Sequence, residues 1–314
     1  MNNPISLDAA GEPAAEAVQA ADSAAAKKSL SMREFVNLMK PGIVFHNLIA
    51  AIAGFWVASR WHVDWLLLLT MTVGTALIVA SGCTLNNYLD RELDAKMART
   101  QSRALVTGKM SPRFVLGYGI TLGVLGTFVL GVLVNPLAAL LGLIGLFLYV
   151  WVYTMWFKRT SVWSTFVGSF SGAVPPVIGY VAVTQTMDAG AWILFLILFL
   201  WQPPHFWALG IRRMEEYRAA GFPLLPVVRG SYVTKISIVR YVVLLVPVSM
   251  LLYLYGYVGE VYMIAAAALG LIWAFMSIAG FRAEDENKWA KRMFVYSINY
   301  LTIMIVLMIA NTVH

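Results

Sequence analysis

Residues 65–94 read WLLLLTMTVGTALIVASGCTLNNYLDRELD. The stretch 65–85 contains no acidic or basic side chain. As a helix rising about 1.5 Å per residue it spans about 30 Å, the thickness of the hydrocarbon layer of a bilayer. The run ends on Asn86, Asp90 and Asp94, at i, i+4 and i+8. If the helix continues through them, these side chains stack on one face, about 6 Å apart. An amide and two carboxylates so spaced form a ladder of hard oxygen ligands suited to Mg²⁺, an ion commonly held by one or two carboxylates together with substrate phosphates. Lys96, Arg99 and Arg103 follow, donors that can grip the same phosphates. A charged helix end that simply pairs Asp90 and Asp94 with nearby arginines is the competing reading, and spacing alone does not separate the two.

Outward from this stretch, further apolar runs occupy residues 43–60, 114–134, 136–156, 163–183, 190–210, 237–257, 259–280 and 293–313. The chain is 60% hydrophobic and 12% charged, about half the charged share of an ordinary soluble domain. That composition excludes a soluble globular protein, a disordered chain and a free nucleic-acid binder. It predicts an all-α polytopic membrane protein of nine transmembrane helices. With the N-terminus cytoplasmic, 22 of the 23 Lys and Arg residues fall on the cytoplasmic side and only Arg60 falls outside, as the positive-inside rule requires. The same count accounts for the net charge of +7 without an anionic macromolecular partner, and it puts the C-terminus on the opposite side. Residues 1–32 are polar, Ala-rich and aperiodic and read as a disordered cytoplasmic tail, leaving 33–314 as one transmembrane domain. A single cysteine, Cys83, excludes an internal disulfide.

Two cytoplasmic connections, 86–113 and 211–236, are far longer than the outer ones, and loops of that length in a compact bundle are usually functional. They follow the second and sixth runs, so the same element recurs four spans later. The second begins inside an apolar run, Gln202-Pro203-Pro204-His205-Phe206-Trp207, and continues Arg212-Arg213-Met214-Glu215-Glu216-Tyr217-Arg218. Prolines within a span free carbonyl groups that need other partners, and polar residues at membrane depth usually face a cavity. An Arg/Glu cluster opposite the first ladder would complete a pocket for a metal-bridged polyanion above an apolar chamber.

These two segments carry a resemblance. NNYLDRELDAKMARTQSRALVTG (86–108) resembles the NxxxDxxxD signature of the UbiA family of intramembrane prenyltransferases. PPHFWALGIRRMEEYRAAGFPLLPVVRG (203–230) is similar to the corresponding segment of the branch of that family that farnesylates haem. The likeness extends over residues 33–313 and includes the entry segment Lys40-Pro41-Gly42-Ile43. It implies a UbiA-type fold, nine helices around a central cavity, in the bacterial inner membrane among membrane lipid. It implies farnesyl diphosphate as donor, haem B as acceptor, Mg²⁺ as the ion, and a haem-processing or oxidase-assembly protein as a further partner. A relative acting on an aromatic quinone precursor shares the first motif and is the alternative; HFWAL and YRAAGFPLLPVV distinguish the haem branch.

Carried over residue by residue, the resemblance makes Asn86, Asp90 and Asp94 the catalytic metal–diphosphate motif and Arg99 and Arg103 its basic tail. Tyr153 and Lys158 match a Tyr/Lys pair that contacts diphosphate, and Arg212 and Arg213 join them. The second motif departs from the family pattern: Arg213 and Tyr217 stand at the aligned acidic positions, with Glu215 and Glu216 between. Glu216 is the candidate ligand for a metal there, although an arginine-rich site can replace an ion by direct phosphate contacts. His205 matches the family's histidine, either as a haem contact or as an iron ligand. His46 is a second haem candidate or a satisfied interfacial residue. The implied reaction is ionisation of an allylic diphosphate and capture of the cation by a haem vinyl group, which needs no general base. A secondary transporter would also explain broken helices and midplane charges, but it would not need the ladder. A structural haem-binding subunit would need axial ligands facing each other across helices.

Overall fold

A backbone inside hydrocarbon must satisfy its own N–H and C=O groups, and the apolar runs do so as helices. The computed structural model describes residues 32–314, so the tail expected over 1–32 lies outside the described residues apart from Met32. Among the described residues nine helices are long and apolar enough to cross a membrane: α1 Pro41–Ser59, α2 Trp65–Asp94, α3 Pro112–Leu133, α4 Pro136–Thr160, α5 Ser164–Thr184, α6 Ala189–Arg212, α7 Leu225–Leu254, α8 Glu260–Arg282 and α9 Glu286–Ala310.

Their starts are written locally. Asp64 caps α2 by accepting from the amides of Leu66 and Leu67, each at 3.0 Å, and Asp188 caps α6 in the same way. Ser111 and Asn135 cap α3 and α4, each followed by a proline at the first helical position, where a missing N–H costs nothing.

Three boundaries differ from the hydropathy reading. Helix α2 does not stop at residue 85 but continues through the ladder to Asp94. Helix α7 begins at Leu225 rather than near 237, because a first turn precedes a break at Gly230, whose φ of 77° an L side chain rarely adopts. Helix α9 begins at Glu286 rather than near 293, capped by the Asp285 carboxylate on the Lys288 amide at 2.9 Å. In α2 and α9 the added turns are polar, and in α7 Arg229, Gly230, Ser231 and Lys235 interrupt the apolar residues, so apolarity alone does not register them.

Two helices change character midway. In α4 the segment Leu148–Phe157 is a π-helix. Helix α5 is interrupted at Ala173, just before Pro175 and Pro176. Helix α6 runs unbroken through Pro203 and Pro204.

The bundle is built from long lateral contacts, α2 along α3, α1 along α5 and α6 along α7, with α9 closing against α6 and α1. Helices α1 and α5 meet backbone to backbone. A Cβ on Gly54 would lie 2.0 Å from the Pro176 carbonyl oxygen, and one on Gly179 would lie 1.8 Å from that of Ala51. At the end of the bundle that carries nearly all the basic residues, the two long connections clasp each other. Met97 and Leu93 of the first pack with Ala220, Phe222, Tyr217 and Leu224 of the second. A short helix, Met32–Leu38, seats Leu38 on Leu105, Met110 and Val115, and the Asn87 amide donates to the Leu38 carbonyl at 2.8 Å.

Candidate active site

Because α2 stays helical to Asp94, its i, i+4, i+8 residues share one inward face: Asn86, Asp90 and Asp94 are 3%, 1% and 6% exposed. Burying carboxylates to this degree is costly unless cations meet them. Lys158, from the end of α4, pairs with Asp90, and Arg159 reaches the other oxygen of Asp90 at 3.4 Å and the Leu89 carbonyl at 2.6 Å. Arg103, from the first loop, pairs with Asp94. The loop is shaped to deliver it, since Thr100 donates to the Asp94 carbonyl at 2.8 Å.

Asn86 is oriented without ambiguity by the chemistry of its neighbours. Lys40, at the start of α1, can only donate, and its ammonium meets Asn86 Oδ1 at 2.5 Å. Asp90 Oδ2 accepts from Asn86 Nδ2 at 2.8 Å. The Thr154 hydroxyl donates to the Tyr149 carbonyl at 2.8 Å and accepts from Asn86 Nδ2 at 3.1 Å. That i to i−5 contact belongs to the π-helix, which also bears on Tyr153 and Lys158. Five residues apart on an α-helix diverge by about 140°, whereas the wider π turn brings such positions close together. Tyr153 stacks on Tyr149, with ring centroids 5.7 Å apart, and lies within electrostatic reach of Asp90.

The second connection closes over this cluster. Phe222 presents its ring to the Lys158 ammonium at 5.0 Å. Tyr217 lies where Tyr153, Arg99, Lys158 and Arg213 all act on it: burial and Tyr153 raise its phenol above the ordinary value, while the three cations oppose that shift. Burial lowers the Lys40 ammonium to about 8; Arg103 and Lys158 push the same way, and Cys83 and Asp90 push back. The site is thus a crowd of cations around two carboxylates, a shape that a polyanion and a divalent ion would relax together.

Of the residues expected from sequence, Asn86, Asp90, Asp94, Arg99, Arg103, Tyr153, Lys158 and Arg213 come together here. Glu216 does not join the carboxylates. It pairs with Arg213 at 3.4 Å, and among the described residues no group of three or more His, Cys, Asp or Glu side chains could hold a metal ion. Two carboxylates and an amide nevertheless fit Mg²⁺, whose remaining positions are ordinarily filled by phosphate oxygens and water. Arg212 makes no hydrogen bond or ion pair with the ladder and lines a cleft that reaches the start of α9. Lys40, Thr154, Arg159 and Phe222 were not singled out from sequence. Lys40 and Phe222 stood in the quoted segments, but nothing local marks Thr154 or Arg159.

His205 belongs to a second locus, between α6 and α9. Its ring lies between Trp201 and Phe294, at centroid distances of 4.7 and 4.6 Å. Ser297 donates to the Phe294 carbonyl at 2.7 Å, so its oxygen accepts from His205 Nδ1 at 2.7 Å. With the proton on Nδ1, Nε2, which makes no hydrogen bond among the described residues, offers its lone pair, the arrangement typical of a metal-ligating imidazole. His46 on α1 likewise uses Nδ1, toward the Gly42 carbonyl at 2.6 Å, and lies within electrostatic reach of His205.

Fold and site together define an integral-membrane helical enzyme whose polar chemistry, a carboxylate ladder ringed by cations, sits at one end of the bundle. The profile of the UbiA prenyltransferase family matches residues 47–298, and the chain belongs to that family. Within it, the chain is 51% identical over 297 residues to protoheme IX farnesyltransferase 1 of Bacillus subtilis (strain 168), covering 91% of this chain and 92% of that one. It is 46% identical over 279 residues to protoheme IX farnesyltransferase 2 of Pseudomonas entomophila (strain L48), covering 89% and 95%. Among solved structures it superposes on digeranylgeranylglyceryl phosphate synthase with a TM-score of 0.77 at 20% identity, over 89% of this chain and 98% of that one. A UbiA homologue from Archaeoglobus fulgidus bound to GPP and Mg²⁺ superposes with a TM-score of 0.65 at 18% identity, over 88% and 99%.

Proposed function

We propose that this chain transfers the farnesyl group of farnesyl diphosphate to a vinyl group of haem B, releasing diphosphate and giving haem O. The observation that carries the prenyl-transfer half is the buried Asn86–Asp90–Asp94 ladder with Lys158 and Arg103 on its carboxylates. The acceptor rests on about 50% identity to protoheme IX farnesyltransferases over nine-tenths of the chain.

Asp90, Asp94 and Asn86 would hold Mg²⁺, which when bound supplies positive charge to the diphosphate oxygens. Arg99, Arg103, Lys158 and Arg213 place further donors where negative charge grows as the allylic C–O bond breaks, a form of stabilisation that is strongest in a dry, preorganised site. Tyr149, Tyr153, Tyr217 and Phe222 line the same region and keep water from the farnesyl cation. The vinyl π electrons form the new C–C bond, and the resulting cation beside the pyrrole takes a hydroxyl from water, whose proton departs. His205, its Nε2 lone pair free, and His46 receive the haem. The basic end faces the cytoplasm, with the N-terminus there and the C-terminus outside, in a bacterial inner membrane.

Asp90→Ala and Asp94→Ala test the donor half. Each is expected to lose farnesyl transfer by at least about a hundredfold, the scale on which a preorganised charge contributes, while still inserting in membranes and eluting as a folded species. Unchanged turnover in both folded variants would remove the assignment.

A further inference from the structure

The clasped loops leave one cation of the second motif unused. Arg212 closes α6 and makes no hydrogen bond or ion pair among the described residues, whereas Arg213 pairs with Glu216 and Arg218 with Glu215. It lines a cleft of about 310 Å³ between the end of α6 and the start of α9, with Glu286 and Asn287 opposite. The acidic members of this cleft are already neutralised: Glu286 accepts from Lys235 at 2.5 Å, and the other two are held by the arginines just named. Arg212 and the Asn287 amide are the groups left to meet a ligand.

The position of this cleft relative to His205 is fixed by helix geometry. Arg212 follows His205 by seven residues on one unbroken helix, which places it within about 20° of the same face and about 10 Å nearer the basic end. On the facing helix, Asn287 precedes Phe294, the ring stacked on His205, by the same interval. The facing sides of α6 and α9 therefore carry an imidazole at one level and, two turns away where the cleft opens, an uncommitted guanidinium with an amide. A porphyrin has the same plan, a central metal and, on one edge, two carboxylates.

We infer that Arg212, with Asn287, is the subsite that receives the carboxylate edge of the porphyrin acceptor while His205 faces its iron, rather than a diphosphate contact. This rests on the haem-acceptor reading above. It orients the acceptor, carboxylates toward the basic end and the opposite edge toward the bundle interior.

The test is a Soret titration of the purified full chain, without farnesyl diphosphate, using haem B and its dimethyl ester, in which the carboxylates are masked. The wild type is expected to bind haem B about tenfold more tightly than the ester, the scale of one charge-assisted hydrogen bond. Arg212→Gln should remove that difference by weakening haem B binding alone, Arg212→Lys should restore part of it, and Arg218→Gln should leave it intact. Equal affinity of the wild type for acid and ester, or equal losses in Arg212→Gln and Arg218→Gln, overturns the subsite while leaving the acceptor reading standing. Absence of any porphyrin binding by the wild type overturns the acceptor reading and the subsite with it.

Discussion

Asn86 is held by three neighbours that differ in what they offer: a cation on its oxygen, and a carboxylate and a hydroxyl on its nitrogen. Thr154 is the member of this set that carries no charge, so its removal tests orientation without changing the electrostatics. Thr154→Val should lower the affinity for Mn²⁺, read by electron paramagnetic resonance, and turnover, each about fivefold, the equivalent of about 1 kcal/mol for one hydrogen bond. Thr154→Ser should restore both. Equal behaviour of the valine and wild-type proteins would mean that Asn86 needs no such partner. The ladder was legible in sequence because its three members share one helix and a four-residue period. Thr154, Lys40 and Arg159 were not, because their roles arise only when α4 and the start of α1 pack on α2, and no local pattern encodes a contact between residues 46 or 68 positions apart.

At the scale of the element, the apolar runs located all nine helices, but not where α2, α7 and α9 start or end, nor the π segment of α4. Hydropathy records what lipid tolerates; the polar turns that carry the site lie beyond it and are set by capping and packing. The backbone N–H of Lys158 reaches the Tyr153 carbonyl through such a departure, an i to i−5 bond that a regular α-helix does not make. The contact of α1 with α5 is a second device invisible to hydropathy, requiring glycine because two backbones touch. Gly179→Ala should destabilise the detergent-solubilised protein by about 1–3 kcal/mol, the usual cost of overpacking, seen as a lower midpoint of thermal unfolding. Gly42→Ala, whose added Cβ meets nothing within 4 Å, should leave the midpoint unchanged. A tolerant Gly179 would mean that the two helices can separate without loss.

Across the whole molecule, charge and chemistry share one end. Basic residues that the positive-inside rule uses to orient the chain also crowd the ladder, so that bias and the proposed diphosphate site draw on some of the same side chains, Lys40, Arg103 and Lys158 among them. With Cys83, which is buried, replaced by Ser, an impermeant maleimide should label Thr186→Cys in intact cells and Ser102→Cys only after lysis. The reverse pattern would invert the proposed orientation. The central claim joins two substrates in one bundle, and mass spectrometry of the product tests it most directly. Incubated with haem B, farnesyl diphosphate and Mg²⁺, the purified protein is expected to yield haem carrying one farnesyl group and one hydroxyl group. Recovery of unaltered haem from a folded, haem-binding preparation, with farnesyl transferred instead to an aromatic quinone precursor, would contradict it.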